Sequence, residues 1–172
     1  MNLSQRLTIE RLGARGEGVA RGPDGPIYVP YALAGESVIA EVDGERGRLV
    51  EVVTPSPDRV ASFCPHYGVC GGCAVQALAP APYAAWKRNL VVAALNNAGV
   101  AAETAPLVDA HGEGRRRATL HAHIDAHGRV QLGFMQARAH AIVDLDHCPL
   151  FAPGLATACD AARAVAHALR GL

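Results

Sequence analysis

The 172-residue sequence predicts a mostly β chain with some α, in which a small β-barrel over residues 1–56 precedes an α+β domain with an antiparallel sheet over residues 57–172. Three observations predict it: short apolar runs broken by glycine turns in the first third, a strict alternation from Arg117 to Asp125, and two stretches with apolar residues at helical spacing. The length suits one ordinary domain or two small, closely joined ones. With half of its residues apolar and 19% charged, the chain can build a core and lacks the composition of a disordered protein.

In the first third, strands are expected at Leu7–Leu12, Ile27–Pro30, Ser37–Val42 and Arg48–Val53. Val38, Ala40 and Val42 alternate with polar neighbours, and Asp43-Gly44-Glu45-Arg46-Gly47 then supplies the turn into a strand carrying Leu49 and Val52, which is a hairpin signal. Pro55 and Pro57 remove backbone donors and mark the boundary. Residues 64–79 are rich in Cys and Gly without a clean period and read as a loop. Trp86, Leu90, Ala94 and Leu95, with Pro82 at the start and Gly99 at the end, predict a helix over about residues 82–97. From Arg117 to Asp125, Ala118, Leu120, Ala122 and Ile124 face one way, which predicts a half-buried strand. Ala126-His127-Gly128-Arg129 makes its turn, Val130, Leu132 and Phe134 the return strand, and residues 141–145 a third. Leu155, Cys159, Ala162, Ala166 and Leu169 form the stripe of a final helix.

A formal net charge of zero excludes a broad positive field as the means of attracting RNA or an anionic membrane, so any such contact is local. Fifteen of the sixteen basic residues are Arg, a bias that suits phosphate contacts and that a GC-rich genome also produces. No stretch approaches the roughly 20 apolar residues of a membrane span, and the polar start around Asn2, Ser4, Gln5 and Arg6 lacks a secretory signal's apolar core. A cytoplasmic monomer without membrane contact is the expectation.

Five cysteines, three of them within ten residues, fit metal ligation in a reducing compartment better than a disulfide framework. Cys64, Cys70 and Cys73 stand in a C-x5-C-x2-C run, and Cys148 follows far along the chain. Four thiolates hold an iron–sulfur cluster, and Gly68, Gly71 and Gly72 let a backbone curl around it and bring amides toward its sulfurs. A structural zinc site also takes four Cys or a Cys/His mixture, with His66 or His147 as substitutes. Zinc modules usually present two close pairs, so the spacing favours iron–sulfur and leaves zinc as the rival. Cys159 lies on an apolar stripe and reads as core. Gly13, Gly16 and Gly18 give only a lone G-x-G among turns and strands and read as structural.

These residues carry a resemblance. Cys64-Pro65 through Cys70-Gly71-Gly72-Cys73 and Gln76 reproduce a C-P-x4-C-G-G-C-x2-Q pattern, and the sequence resembles the bacterial ribosomal-RNA uracil-5-methyltransferases. Ile9-Glu10-Arg11-Leu12, Gly16-Glu17-Gly18-Val19-Ala20-Arg21, Val29-Pro30 and Gly35-Glu36 resemble that family's TRAM unit, an OB-like five-stranded barrel that binds RNA. Arg115-Arg116-Arg117, Gly133-Phe134 and Ile142-Val143-Asp144 before His147-Cys148-Pro149 resemble its central domain. The resemblance implies a [4Fe-4S] cluster on Cys64, Cys70, Cys73 and Cys148, and ribosomal RNA as partner. It also implies an S-adenosylmethionine-binding catalytic domain that this chain lacks, so the chain alone is expected to hold no catalytic residue and to be inactive. Candidate RNA contacts are Arg11, Arg15 and Arg21 on the barrel, and Arg115, Arg116, Arg117, His121 and His123 on one strand. Tyr28, Tyr31 and Phe134 read as core before they read as stacking platforms. The alternative from another class is a zinc-stabilised nucleic-acid-binding module that is no part of an enzyme.

Overall fold

The computed structural model describes residues 3–110 and 112–170; the expectations placed on Asn2 and on the end at Leu172 lie outside them. The chain divides into two compact units, Met1–Ser62 with Ala74–Val108, and Phe63–Cys73 with Asp109–Leu172. This division is interleaved, whereas the sequence suggested a linear one after residue 56. The reason is backbone pairing: Val60 N–H donates to Ala77 O and Ala79 N–H to Asp58 O, so the chain that follows the cysteine run returns to the barrel unit.

The first unit is a closed five-stranded barrel of β1 (Leu3–Leu12), β2 (Gly18–Arg21), β3 (Pro26–Val29), β4 (Ser37–Asp43) and β5 (Arg46–Thr54), ordered β1-β2-β3-β5-β4, in agreement with the OB-like expectation. All pairings are antiparallel except β3 with β5, and the expected hairpin appears as β4 against β5 from Ser37↔Thr54 to Asp43↔Arg46. Alternation works as expected on β4, where Val38 and Ala40 are fully buried beside Val29 and Ala32. Helix α1 (Pro80–Asn97) begins two residues before its expected start, with proline in its first turn. Trp86 Nε1 donates to Gly13 O at 3.2 Å, which ties this helix to the turn between β1 and β2.

Among the described residues of this unit, one charge is buried. Glu36 has no exposed surface, and its carboxylate accepts from Leu33 N–H at 2.8 Å, Ser56 N–H at 3.2 Å and the Arg59 guanidinium through both Nε and Nη2. Arg59 also donates to Tyr31 O at 2.7 Å. Burial pushes the Glu36 carboxyl up, but the Arg59 hydrogen bond, the two backbone N–H groups and the Arg59 charge outweigh it, and the group lies below its ordinary range.

The second unit holds a three-stranded antiparallel sheet of β6 (His121–Ile124), β7 (Val130–Met135) and β8 (Ile142–Asp144), with β7 in the middle, followed by α2 (Ala158–Ala168). Asp125 organises the β6–β7 turn by accepting from His127 N–H and Arg129 N–H, both at 2.9 Å. Gly133 sits where a side chain would fall onto Val143 O, so the close approach of β7 and β8 requires glycine. Arg163 of α2 donates to Val130 O, Leu145 O and Asp144, joining helix to sheet, while Asp144 also accepts from Leu132 N–H at 2.9 Å. No helix among the described residues is long and apolar enough to cross a membrane.

Two expectations need correction here. The strand predicted from Arg117 begins only at His121, because the ladder with β7 starts at His121 opposite Gly133; upstream, Arg115 pairs with Phe151, through Arg115 N–H to Leu150 O and Ala152 N–H to Arg115 O. Alternation continues through Ala118 and Leu120, which pack on the core, although their backbone has left the ladder. The final helix stops before Leu169, which is 55% exposed and does not extend the buried stripe.

Candidate functional site

Cys64, Cys70, Cys73 and Cys148 all belong to the second unit, and no disulfide joins any of the five cysteines. The run from Cys64 folds as consecutive turns: Tyr67 N–H donates to Cys64 O at 3.1 Å, and Val69 and Cys70 N–H both donate to His66 O. Gly68 takes a φ of 92°, with open space where a side chain would stand, so glycine is there for its conformation. The next segment docks on the sheet. Gly71 N–H donates to Met135 O and Ala137 N–H to Val69 O, both at 2.9 Å, and Cys70 forms a bridge with Gln136. A Cβ on Gly71 would come 3.1 Å from Met135 O, so this contact is made backbone to backbone.

This docking brings Cys70 into the core that Cys148 enters from the other side of the sequence, four residues beyond β8; each is 8% exposed. Cys64 and Cys73 are half-buried. Gly72 N–H points at Cys70 Sγ at 3.4 Å, an amide-to-sulfur bond of the kind that glycines at these positions permit. Among the described residues, no three His, Cys, Asp or Glu side chains are grouped as a single metal ion would need. A four-iron cluster is larger than one ion and takes its four thiolates at separate irons, so its ligands stand farther apart. The donor set and the curled loop fit such a group. Cys159 is 1% exposed, as a core residue should be, and burial pushes its thiol up, away from the reactive range.

The predicted RNA contacts fall into two sets. Arg11, Arg15 and Arg21 are exposed in the barrel unit, Arg21 lying 3.6 Å from Glu10. In the second unit Arg116 and Arg117 are exposed on the irregular segment before β6, and His121 and His123 are exposed on β6 itself, on one face. The expectation that all five share a strand is therefore corrected. Arg115 differs from its neighbours: it is half-buried, with its guanidinium 5.8 Å from the centre of the Phe134 ring. Phe134 packs edge-on against Phe151, in keeping with a core role. Sequence reasoning missed the Glu36–Arg59 pair; Glu36 appeared only within a resembling Gly-Glu dipeptide, and nothing local announces a carboxylate whose partner lies 23 positions away.

No family model matches the chain. A protein of Caulobacter vibrioides named as an uncharacterized RNA methyltransferase is 46% identical over 156 residues, covering 90% of this chain and 38% of that protein. Another so named, from Agrobacterium fabrum, is 42% identical over 168 residues, 94% of this chain and 40% of its own length. The 23S rRNA (uracil(1939)-C(5))-methyltransferase RlmD of Halomonas elongata is 41% identical over 162 residues, 89% of this chain and 33% of that enzyme. The chain thus spans roughly two-fifths or less of the length of these relatives. Across nearly its whole length, then, this chain is similar to a part of proteins named as RNA methyltransferases, a 23S rRNA uracil-C5 enzyme among them.

Proposed function

We propose that this chain is the RNA-recognition and cluster-binding part of an S-adenosylmethionine-dependent RNA (uracil-C5) methyltransferase acting on 23S rRNA, with Cys64, Cys70, Cys73 and Cys148 holding a [4Fe-4S] cluster. The observation that carries the metal reading is the meeting of Cys70 and Cys148 in one buried core while the loop bearing the other two thiols is hydrogen-bonded to β7. A bound cluster would supply a covalent tie between that loop and the segment after β8. Methyl transfer to an activated uracil consumes no electron, so the tie is structural. Zinc is the rival occupant, and the C-x5-C-x2-C run with one remote cysteine departs from the two close pairs that zinc modules usually present.

The exposed Arg11, Arg15, Arg21, Arg116, Arg117, His121 and His123 would contact phosphates and set the RNA's position, each contributing locally because the chain has no net charge. Arg115, occupied against Phe134, would contribute more to the fold than to RNA. Cofactor binding and chemistry belong to the remainder of the full-length protein, a cytoplasmic monomer in this reading.

The test is metal analysis of protein purified without oxygen. Iron and acid-labile sulfide should be found in equal amounts, with the broad visible absorption of a cluster, and Cys148→Ser should lose both. Zinc without iron or sulfide in the anaerobic protein overturns the reading.

A further inference from the structure

The barrel unit contains a groove of about 580 Å³ that includes Arg11, one of the phosphate contacts above, and otherwise residues those contacts do not use. Its size falls in the range of roughly 300–1,000 Å³ that accommodates a small ligand. Leu33 and Leu78 give it an apolar floor, Trp86 of α1 lines it as the chain's single tryptophan, and Arg11 and Asn89 stand at its wall. The indole is oriented: its N–H is held by Gly13 O, and Tyr83 packs on it at a 6.0 Å ring separation. Cations accompany it. Arg11 lines the groove itself and Lys87 Nζ lies 5.8 Å from the indole centre, whereas Arg88 is turned to Thr104 O.

A fixed aromatic surface beside cations is what binds single-stranded nucleic acid, with the base on the ring and the phosphate on the cations. The groove also carries two carboxylates, which decide the orientation. Glu10 is near Arg21 at 3.6 Å and so partly balanced, whereas Asp58 would repel a phosphate and tolerate a base. We propose that this groove is a subsite for one unstacked RNA nucleotide, its base against Trp86 and its phosphate toward Arg11. The proposal deepens the RNA-docking reading above and rests on it.

The lone tryptophan makes its own emission a reporter. The full chain is titrated with a dye-labelled single-stranded oligouridylate, following anisotropy of the label and Trp86 emission together. Emission should be quenched along the same curve as the anisotropy rises. Trp86→Ala should weaken the anisotropy-derived affinity by about fivefold or more, the effect of losing one base stack. Trp86→Phe, which keeps a stacking ring, should retain most of it. A rise in anisotropy with unchanged emission overturns the subsite while leaving RNA docking in place, and so does failure of the oligouridylate when a folded ribosomal RNA hairpin still binds. Failure of both RNAs overturns the docking reading as well.

Discussion

The two units reach order by different means. The barrel closes on itself, so its strands leave no open edge, and its core consists of aliphatic side chains such as Ile9, Val29 and Val38. The second unit has three strands of four, six and three residues, and three of the nine buried residues of its core are cysteines. Short strands and thiols bury little apolar surface, so a ligand that recruits those thiols matters more there than anything comparable does in the barrel. One unit is held by hydrocarbon packing and a matched buried charge, while the core of the other is shared between hydrocarbon and thiols.

The sharpest break in that comparison comes from the remote thiol. Cys148→Ala should abolish amide protection of the cysteine loop and of β7–β8 in anaerobic protein while leaving β1–β5 protected, as hydrogen exchange would read. Equal loss in both units would show that the barrel also relies on the site. Next in size is the barrel's buried carboxylate. Glu36→Gln removes the carboxylate charge that faces the Arg59 guanidinium in a confined position and should cost about 3–5 kcal/mol of barrel stability in urea unfolding, the usual penalty for breaking a buried pair. An effect below about 1 kcal/mol would mean the pair behaves as a surface one.

The smallest expected effect is the acid response. Because the Glu36 carboxyl lies below its ordinary range in the folded chain, its stabilisation is complete above the unfolded-state value and is lost as pH falls through the folded-state one. Barrel stability should therefore decline only in strongly acidic solution, and Glu36→Gln should flatten that decline. A loss that begins near neutral pH would point to another group.

What was legible in the sequence follows the same division. Alternation located β4 and β5, and the glycine-containing turn located the β6–β7 hairpin, because these signals are local. β2 was not read from the residues: Gly18, Val19 and Ala20 are all buried in succession, so the four-residue strand shows no alternation, and only the resemblance to a five-stranded barrel implied it. The start of β6 was misjudged because side-chain alternation persists through Leu120 after backbone pairing has ended. At the candidate metal site the ligand types and glycines were plain, but the bonds from Val69 and Gly71 to the end of β7 were not, since hydrogen bonds between distant segments leave no mark on local composition. Trp86 looked like one more apolar position of a helix for the same reason.

The interleaving of the two units has a consequence for how the protein is made. Cys73 and Cys148 are 75 positions apart, with α1 and much of the second unit between them. A ribosome adding about 5–20 residues per second presents the first three thiols roughly 4–15 seconds before the fourth is synthesised. During that interval the nascent chain can complete its barrel while the three-sulfur loop is still without its fourth thiol, exposed to any passing soft metal or oxidant. Under the proposed assignment, cluster loading would come late, after β1–β5 have folded.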